Sequence, residues 1–340
     1  NINYIYTLNA YEISIVHCLK KFWILPGWRL PAIMKNLYYF SPILYVYKYY
    51  SFILRIASIS IITCIIMILT GCTREYDEQL LITFSSNRNT AQDIFIMNQD
   101  GSHQRALTFN GSDTSPSFSP DGNWIVFDRV TVNDSNCIIN INGTGFKDLS
   151  GSGFHTYPTW IPSGNRIIYQ DDGNGEIYTM DLNGDNINQI TNDGTSKSTP
   201  SCSPDGLKLA CHISDGGDND IFIINMHTLS MTNITSAYTS NDTTPSWSTD
   251  GTKIAFCSDR DGNNEIYIMN TDGSNPINIT NNPASDKEPV WSPGAKMIAF
   301  YSNRTGNDEI YVLDLNSGIP VNISNNPAED RSPCFQYKPR

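Results

Sequence analysis

The histidines and the paired acidic residues are the side chains of this sequence best suited to chemistry. Four of the five histidines follow residue 72 and lie far apart along the chain: His103, His155, His212 and His227. A catalytic metal ion needs about three such ligands in one cluster, and the sequence shows no such cluster. It also lacks the Gly-x-Ser-x-Gly motif that presents a nucleophilic serine. The sequence therefore predicts no catalytic residue, and a metal site on His155 and His212 stays an alternative.

A second candidate for chemistry is the acidic segment that begins at Asp259. Asp259, Asp261 and Asn263 have the alternating spacing of the first ligands in a calcium-binding loop. An EF-hand loop also requires a glycine at its sixth position and a glutamate at its twelfth. Asparagine stands at both of those positions here, as Asn264 and Asn270. We therefore predict no EF-hand and no bound cofactor.

Charge is distributed unevenly along the chain. Residues 1–71 contain six of the 22 lysines and arginines but only one acid, Glu12. The part from Cys72 onward therefore has 33 acidic against 16 basic residues, a net charge of −17. Such a surface repels nucleic acid and anionic lipid headgroups, and it favours cations or a basic protein partner.

An uncharged apolar segment, residues 56–70, precedes Cys72. It is shorter than most membrane-spanning helices and has the length of a signal-peptide core. It ends in Leu69-Thr70-Gly71-Cys72, which resembles the lipobox of bacterial lipoproteins. The resemblance implies cleavage before Cys72 and lipid attachment to its thiol, and hence an exported, lipid-anchored protein. The alternative is an uncleaved membrane anchor.

The sequence predicts four parts. The chain begins with Asn1 and has a natural start at Met34-Lys35, so residues 1–33 are interpreted as translated upstream sequence. Residues 34–71 are predicted to be the signal peptide, 72–79 a short tether and 80–337 one domain. Five further cysteines show no CxxC spacing, so no disulfide pairing is predicted: Cys137, Cys202, Cys211, Cys257 and Cys334.

One phrase recurs through residues 116–335: Pro-x-aromatic-Ser-Pro-Asp-Gly, followed by an apolar strand. Its leading prolines are Pro116, Pro158, Pro200, Pro245, Pro289 and Pro333, with successive spacings of 42, 42, 45, 44 and 44 residues. Repeats of this length that each contain four short strands are typical of β-propeller blades. The sequence therefore predicts an all-β propeller.

The repeat that begins at Pro245 shows the four strands, called A to D in chain order, most clearly. Strand A is predicted at 245–248, B at 253–257, C at 265–270 and D at 277–280. The turn between A and B contains Asp250-Gly251, and Asp-Gly supplies the positive φ angles that a tight hairpin needs. Apolar residues on both faces of B and C indicate sheets stacked between neighbours.

The two ends of the repeat region complete each other. Strands B, C and D are predicted at 80–85, 93–98 and 105–108 without a strand A before them. The last phrase, at Pro333, is a strand A without a strand B after it. Joined, these fragments make the sixth blade and leave no open sheet edge. The predicted fold is a monomeric six-bladed β-propeller closed by its C-terminal strand.

Two segments carry a family resemblance: Ser258-Asp-Arg-Asp-Gly-Asn-Asn-Glu-Ile-Tyr267 and Ser302-Asn-Arg-Thr-Gly-Asn-Asp-Glu-Ile-Tyr311. They resemble the propeller repeat of the TolB family, and the similarity extends from about Leu80 to Tyr337. It implies a protein-interaction module, because in that family the propeller docks a lipoprotein and short peptides at one mouth of its channel. TolB carries an α/β domain ahead of its propeller, for which the few residues after Cys72 leave no room.

The topology predicts where a partner would bind. The A–B and C–D turns lie on one face of a propeller, here called the turn face, and the longer B–C and D–A loops lie on the other, the loop face. Binding residues concentrate on loops that a rigid scaffold holds. The predicted partner contacts on the loop face are Asn87, Arg88, Asp171, Asp172, Asp215, Asp218, Asp259, Arg260, Asp261, Asn303 and Arg304.

These observations predict a membrane-anchored, non-enzymatic scaffold of the cell envelope that binds a protein or peptide. The alternatives are a propeller enzyme acting on carbohydrate and a glycan-binding lipoprotein. A divalent cation in the acidic channel is a further alternative.

Overall fold

The computed structural model describes residues 80–109, 111–130, 134–149, 155–214 and 217–336. The predicted signal peptide, Cys72 and the tether lie outside the described residues, as does Asp215. Within the described ranges every regular element is a strand, and no helix there is long and apolar enough to cross a membrane.

Twenty-four strands form six antiparallel sheets of four strands each. The first three sheets contain β24 (Asp330–Phe335), β1 (Leu81–Ser86), β2 (Asp93–Asn98) and β3 (Arg105–Ala106); β4 (Asp113–Phe118), β5 (Trp124–Arg129), β6 (Ser135–Asn140) and β7 (Lys147–Asp148); and β8 (His155–Trp160), β9 (Arg166–Asp171), β10 (Glu176–Asp181) and β11 (Asn188–Gln189). The other three contain β12 (Lys197–Cys202), β13 (Lys208–Ser214), β14 (Asn219–Asn225) and β15 (Met231–Asn233); β16 (Asp242–Trp247), β17 (Lys253–Ser258), β18 (Glu265–Asn270) and β19 (Ile277–Asn278); and β20 (Asp286–Trp291), β21 (Met297–Ser302), β22 (Glu309–Asp314) and β23 (Pro320–Asn322). They are numbered blades 1 to 6 in this order, and strands are A to D within each.

The blades pack face to face in a ring. Strand A of each blade contacts strand A of the next, and β24 contacts both β20 and β4, which completes the circle. Six hydrophobic clusters fill the six seams between adjacent blades. Alternate residues of strands B and C enter opposite seams, which explains why both faces of these strands are apolar.

The ring is closed by the C-terminal strand, as predicted. Strand β24 pairs antiparallel with β1, so that Ile82 lies opposite Phe335 and Thr83 opposite Cys334. Chain ends that are distant in sequence thereby share one sheet, and neither the first nor the last blade has an open edge. The predicted fold class, six blades of four strands closed in this way, is confirmed.

Strand A begins earlier than its predicted boundary. In blade 5 it starts at Asp242, three residues before Pro245. Thr244 has a φ of 49°, and the strand register shifts at this point. Proline disfavours the right-handed helical conformation of the residue before it; here a bulge with a left-handed residue lets the strand continue. The same positive φ precedes the proline in all six blades, at Ser115, Tyr157, Thr199, Thr244, Glu288 and Ser332.

The A–B turn differs in detail from the expected two-residue hairpin. In blade 2 the Gly122 N–H donates to the Ser119 carbonyl oxygen at 2.8 Å, and only Gly122 has a positive φ, 70°. Asp121 accepts from the Asn123 N–H at 3.1 Å instead of adopting a left-handed conformation. The turn therefore uses the glycine for backbone geometry and the aspartate as a side-chain cap.

Candidate functional site

Buried arginine–aspartate ion pairs fix the loop face in four of the six blades. In each, an arginine of the B–C loop, or at its edge, bonds the aspartate that opens strand A of the same blade. The pairs are Arg88–Asp330, Arg129–Asp113, Arg260–Asp242 and Arg304–Asp286, with closest distances of 2.5 to 2.9 Å. The four aspartate side chains are fully buried and the arginines are 13 to 15% exposed.

Each of these arginines also lies over aromatic rings of its own blade, and Arg260 lies in addition over Tyr238 of the loop that leads into strand A. The Arg260 guanidinium carbon is 4.0 Å from the Tyr238 ring centroid and 4.6 Å from that of Tyr267. Cation–π contacts of this kind add to the ion pair. The acid of each pair belongs to the same blade as its arginine. Arg88, Arg260 and Arg304 therefore hold the scaffold together, and partner contact by them stays a prediction.

Three other predicted contacts connect the two kinds of loop on this face. Asn87, Asp259 and Asn303 occupy equivalent positions, and each accepts a backbone N–H from the D–A loop of its own blade at 2.8 to 3.0 Å. These bonds hold the B–C and D–A loops side by side. They therefore restrict the movement of one loop relative to the other.

The remaining predicted acids lie on separate blades. In blade 3, Asp171 caps the Gly173 N–H and Asp172 accepts from the Thr156 hydroxyl, at 2.8 and 2.9 Å. In blade 5, Asp261 accepts from the Tyr267 hydroxyl and from Asn278. Asp218 lies half-buried before β14. The structure thus distributes these acids around the ring and does not gather them into one cluster.

A cavity of about 450 Å³ lies on the loop face where blade 6 meets blade 1. It is bounded by the B–C loop of blade 6 and by the starts of two strands A, β20 and β24. Its lining residues are Ser285, Lys287, Tyr301, Asn303, Gly306, Asn307, Asp308, Glu329 and Arg331. Of the predicted contacts, Asn303 lines this cavity.

The cavity carries charges of both signs. The Arg331 guanidinium bonds Asp308 at 2.5 Å and Glu329 at 2.8 Å, and it stays 39% exposed. Lys287, half-buried on the neighbouring strand A, forms no ion pair within the described ranges. Burial raises the pKa of the Tyr301 phenol above its ordinary value. The cavity therefore offers the unpaired ammonium group of Lys287 and the neutral hydroxyl of Tyr301. The charge of Arg331 is balanced by its two carboxylate partners.

Glu288 follows Lys287 in strand A of blade 6. Burial raises the pKa of Glu288, although a hydrogen bond from Ser332 and the charges of Arg331 and Lys287 oppose the effect. Burial also raises the pKa of Tyr157, with Glu288 as the next cause. Tyr157 belongs to blade 3 and Glu288 to blade 6, which lie opposite each other in a six-membered ring. The charge of Glu288 therefore acts on a residue of the opposite blade.

The sequence analysis did not identify Lys287 and Arg331, although both differ from the residues at the equivalent positions of the other repeats. Both are the second residue of strand A, a position that holds serine or threonine in the other blades, at Thr114, Thr156, Ser198 and Thr243. A comparison of repeats position by position would have shown two cations in adjacent blades. Their role could not be inferred from the loops alone, because they lie inside strands.

The two histidines proposed as an alternative metal site do not converge. His155 packs against Tyr169 with its ring tilted and faces blade 2. His212 lies opposite Ile221 in the neighbouring strand and faces blade 5. Among the described residues no three His, Cys, Asp or Glu side chains are arranged to hold a metal ion.

His212 should make the fold sensitive to acid. Burial lowers its pKa to about 4, whereas an exposed histidine titrates near 6.5. The unfolded chain therefore takes up this proton first, and stability is lost as the pH falls from about 6.5 to about 4. His212→Gln, which places the residue of the equivalent position Gln170, should reduce that loss. Urea unfolding at stepped pH measures it, with His227→Gln, an exposed histidine, as the control; equal acid slopes for both variants would contradict the assignment.

Comparison with known proteins agrees with this geometry. Residues 195–283 and 260–338 match the PD40 family model, the TolB beta propeller domain. These matches span blades 4 to 6 and the closing strand. A comparison with curated protein sequences gives no match.

Solved structures share the fold at low identity. The crystal structure of TolB from Acinetobacter baumannii superposes with a TM-score of 0.67 at 20% identity, over 76% of this chain and 66% of that one. A putative TolB from Agrobacterium tumefaciens gives 0.58 at 17%, over 77% and 99%. Kuenenia stuttgartiensis hydrazine synthase gives 0.61 at 16%, over 77% and 47%. The chain is therefore a TolB-like six-bladed β-propeller whose fourth to sixth blades carry the repeat of the TolB beta propeller domain.

Proposed function

We propose that this protein is a membrane-anchored, non-enzymatic binding scaffold of the cell envelope, and that its loop face binds a protein or peptide partner. The loop-face cavity is the observation that carries the proposal. It combines an unpaired ammonium group, a partly exposed guanidinium group, two carboxylates and a phenol within one concave surface. Concave sites with a few fixed polar groups are the usual places of ligand recognition.

A peptide segment suits this chemistry. Peptide groups offer both donors and acceptors, and a segment with an acidic side chain or a terminal carboxylate would pair with Lys287. Asp308 and Glu329, which also line the cavity, disfavour a strongly anionic polymer, as does the net charge of the chain after Cys72. The propeller supplies a rigid frame, so little ordering free energy is lost on binding.

The TolB-like fold supports an envelope location, and lipidation of Cys72 would anchor the disc to a membrane. A Cys72→Ala variant should then lose membrane association, because lipid chains supply the apolar burial that holds it there. Fractionation of cells that express the variant and the original protein measures the change. Continued membrane association of the variant would contradict the lipid anchor.

Photo-crosslinking in cells tests the binding proposal. A benzophenone amino acid at Ser285 lies in the cavity, and the same group at Asn123 lies exposed on the turn face as the control. We expect one specific envelope protein or peptide to be captured at position 285 and not at 123. Capture of the same species at both positions, or of none at 285, would overturn the proposed site.

Carbohydrate-directed catalysis, the alternative from the sequence, has no specific observation in its favour. It is not proposed.

A further inference from the structure

A group of buried polar atoms lies in the seam between blades 2 and 3. Asp128, Asn136 and His155 are 3%, 0% and 4% exposed. Within the part of the chain that the structure describes, four buried atoms have no hydrogen-bond partner: Asp128 Oδ1, both amide atoms of Asn136 and His155 Nδ1. Nearly all buried polar atoms in folded proteins are paired, so four unpaired atoms in one seam indicate a ligand.

The strand pattern shows that Asp128 and Asn136 point into this seam. Val126 and Ile138 pack against blade 3. Asp128 follows Val126 by two residues and Asn136 precedes Ile138 by two, so all four share one face of the sheet. Asp128 and Asn136 are also direct cross-strand partners, which places their Cβ atoms about 5 Å apart.

His155 approaches the same place from the other side of the seam. Its ring centroid is 4.3 Å from that of Tyr169, which belongs to the hydrophobic cluster of this seam. Two residues further on, the Tyr157 N–H donates to Asp128 Oδ2 at 3.0 Å. The carboxylate, the amide and the imidazole therefore meet at the loop-face end of one seam.

Both Asn136 and His155 depart from the repeat. The position of Asn136 is a core isoleucine in the other five blades, at Ile94, Ile177, Ile221, Ile266 and Ile310. His155 stands where four blades have the aspartate that pairs with an arginine. An amide buried without partners destabilises a core, so packing does not explain why asparagine replaces isoleucine here.

The electrostatic surroundings of Asp128 suit a cation. Asp128 forms no ion pair in the part of the chain that the structure describes. The charged groups that act on it are Asp172 and Asp134, which are also acidic. Burial raises the pKa of the Asp128 carboxyl group, and hydrogen bonds from the Tyr157 N–H and the Ser115 side chain oppose the effect. A cation bound here would supply the positive charge that keeps this carboxyl group ionised.

We propose that Asp128, Asn136 and His155 bind a divalent first-row transition-metal ion that fastens blade 2 to blade 3. The ligands would be a carboxylate oxygen, the amide Oδ1 and the imidazole Nδ1, a mixed oxygen and nitrogen set that suits manganese or zinc better than calcium. Asn136 Nδ2 would then donate to a metal-bound water. The site differs from the loop-face cavity, and it does not depend on the proposed partner binding.

Manganese binding to the full-length chain, purified in detergent, tests the proposal. Titration followed by electron paramagnetic resonance should show one Mn²⁺ site per chain, displaced by Zn²⁺ but not by equal Ca²⁺. Electron spin echo modulation should show coupling to a histidine nitrogen. His155→Asn should abolish that coupling, and His212→Gln, which changes a histidine in another seam, should keep it.

Asn136→Ile guards against a variant that merely fails to fold, because it installs the residue of the other five blades. We expect this variant to be folded and to bind Mn²⁺ at least tenfold more weakly than the original chain. Three results would each overturn the proposal: no stoichiometric Mn²⁺ binding, nitrogen coupling that survives His155→Asn, or unchanged affinity in Asn136→Ile. The seam would then hold water only.

Discussion

Replacing Gly184 with alanine is expected to destabilise the propeller by about 3 kcal/mol, the sum of backbone strain and overpacking. Gly184 has a φ of +84°, and a Cβ there would lie 2.1 Å from the Leu149 carbonyl oxygen of the preceding blade. That oxygen belongs to the backbone and cannot move aside. Chemical denaturation of both proteins measures the difference.

Gly294 provides a matched control. Its φ is +86°, nearly the same as that of Gly184, but nothing lies within 4 Å of its would-be Cβ. Gly294→Ala should therefore cost only the conformational strain, roughly 1 kcal/mol. Equal losses in the two variants would show that the close approach between blades contributes nothing.

The same close contact between a turn glycine and a backbone oxygen of the preceding blade occurs in other blades. Gly101 faces the Ile323 oxygen at 2.2 Å and Gly273 faces the Ile234 oxygen at 2.1 Å. In each case a C–D turn lies directly on the backbone of the preceding blade. Only glycine permits this distance, and so the turn residues determine how closely blades stack.

Loss of the Arg260 guanidinium is expected to destabilise the fold by about 3–5 kcal/mol, as when one partner of a buried ion pair is removed. Asp242 is fully buried and accepts from Arg260 at 2.9 and 3.0 Å. Burial already raises the pKa of Asp242, and the hydrogen bonds from Ser258 and Arg260 oppose the effect. Arg260→Ala leaves this carboxylate without its counter-ion.

The pH dependence of this loss has a definite sign. Without Arg260 the folded-state pKa of Asp242 rises further above its unfolded value, so the folded chain binds the proton more tightly. The penalty is therefore largest at neutral pH and shrinks as the pH falls toward the unfolded pKa of about 4. Urea unfolding at pH 7 and pH 4.5 measures it.

Two further variants serve as controls for Arg260→Ala. The double variant Asp242→Ser with Arg260→Ala removes both charges and should recover most of the stability. Arg105→Ala removes an exposed arginine that donates to the Ile141 carbonyl oxygen, and it should cost below about 1 kcal/mol. A loss for Arg260→Ala no larger than that for Arg105→Ala would contradict a structural role for the pair.

The fold was predictable from sequence because local signals repeat. Strand C of blade 5 was predicted at 265–270 and is found there, since alternating apolar residues between two turns define it. The start of strand A was not predictable, because it precedes Pro245. Thr244 continues the strand in a left-handed backbone conformation that no sequence pattern indicates. Ring closure by β24 followed from counting strands.

The candidate site was predictable only in part. The sequence indicated the loop face and named Asn303, which lines the cavity. It could not show that Arg260 and Arg304 are turned inward, because their partners Asp242 and Asp286 lie about 18 residues earlier in strand A. Lys287 and Asn136 lie within strands, where a polar residue becomes notable only when the equivalent positions of all blades are known.

The most direct test of the loop-face cavity as a binding site is photo-crosslinking from position 285 in a protein that also carries Lys287→Glu. This change reverses the unpaired charge of the cavity. The control is Lys208→Glu, which changes the net charge by the same amount at an exposed lysine on the turn-face end of β13. We predict that the captured partner disappears with Lys287→Glu and persists with Lys208→Glu in folded protein. Equal capture in both variants would contradict the account.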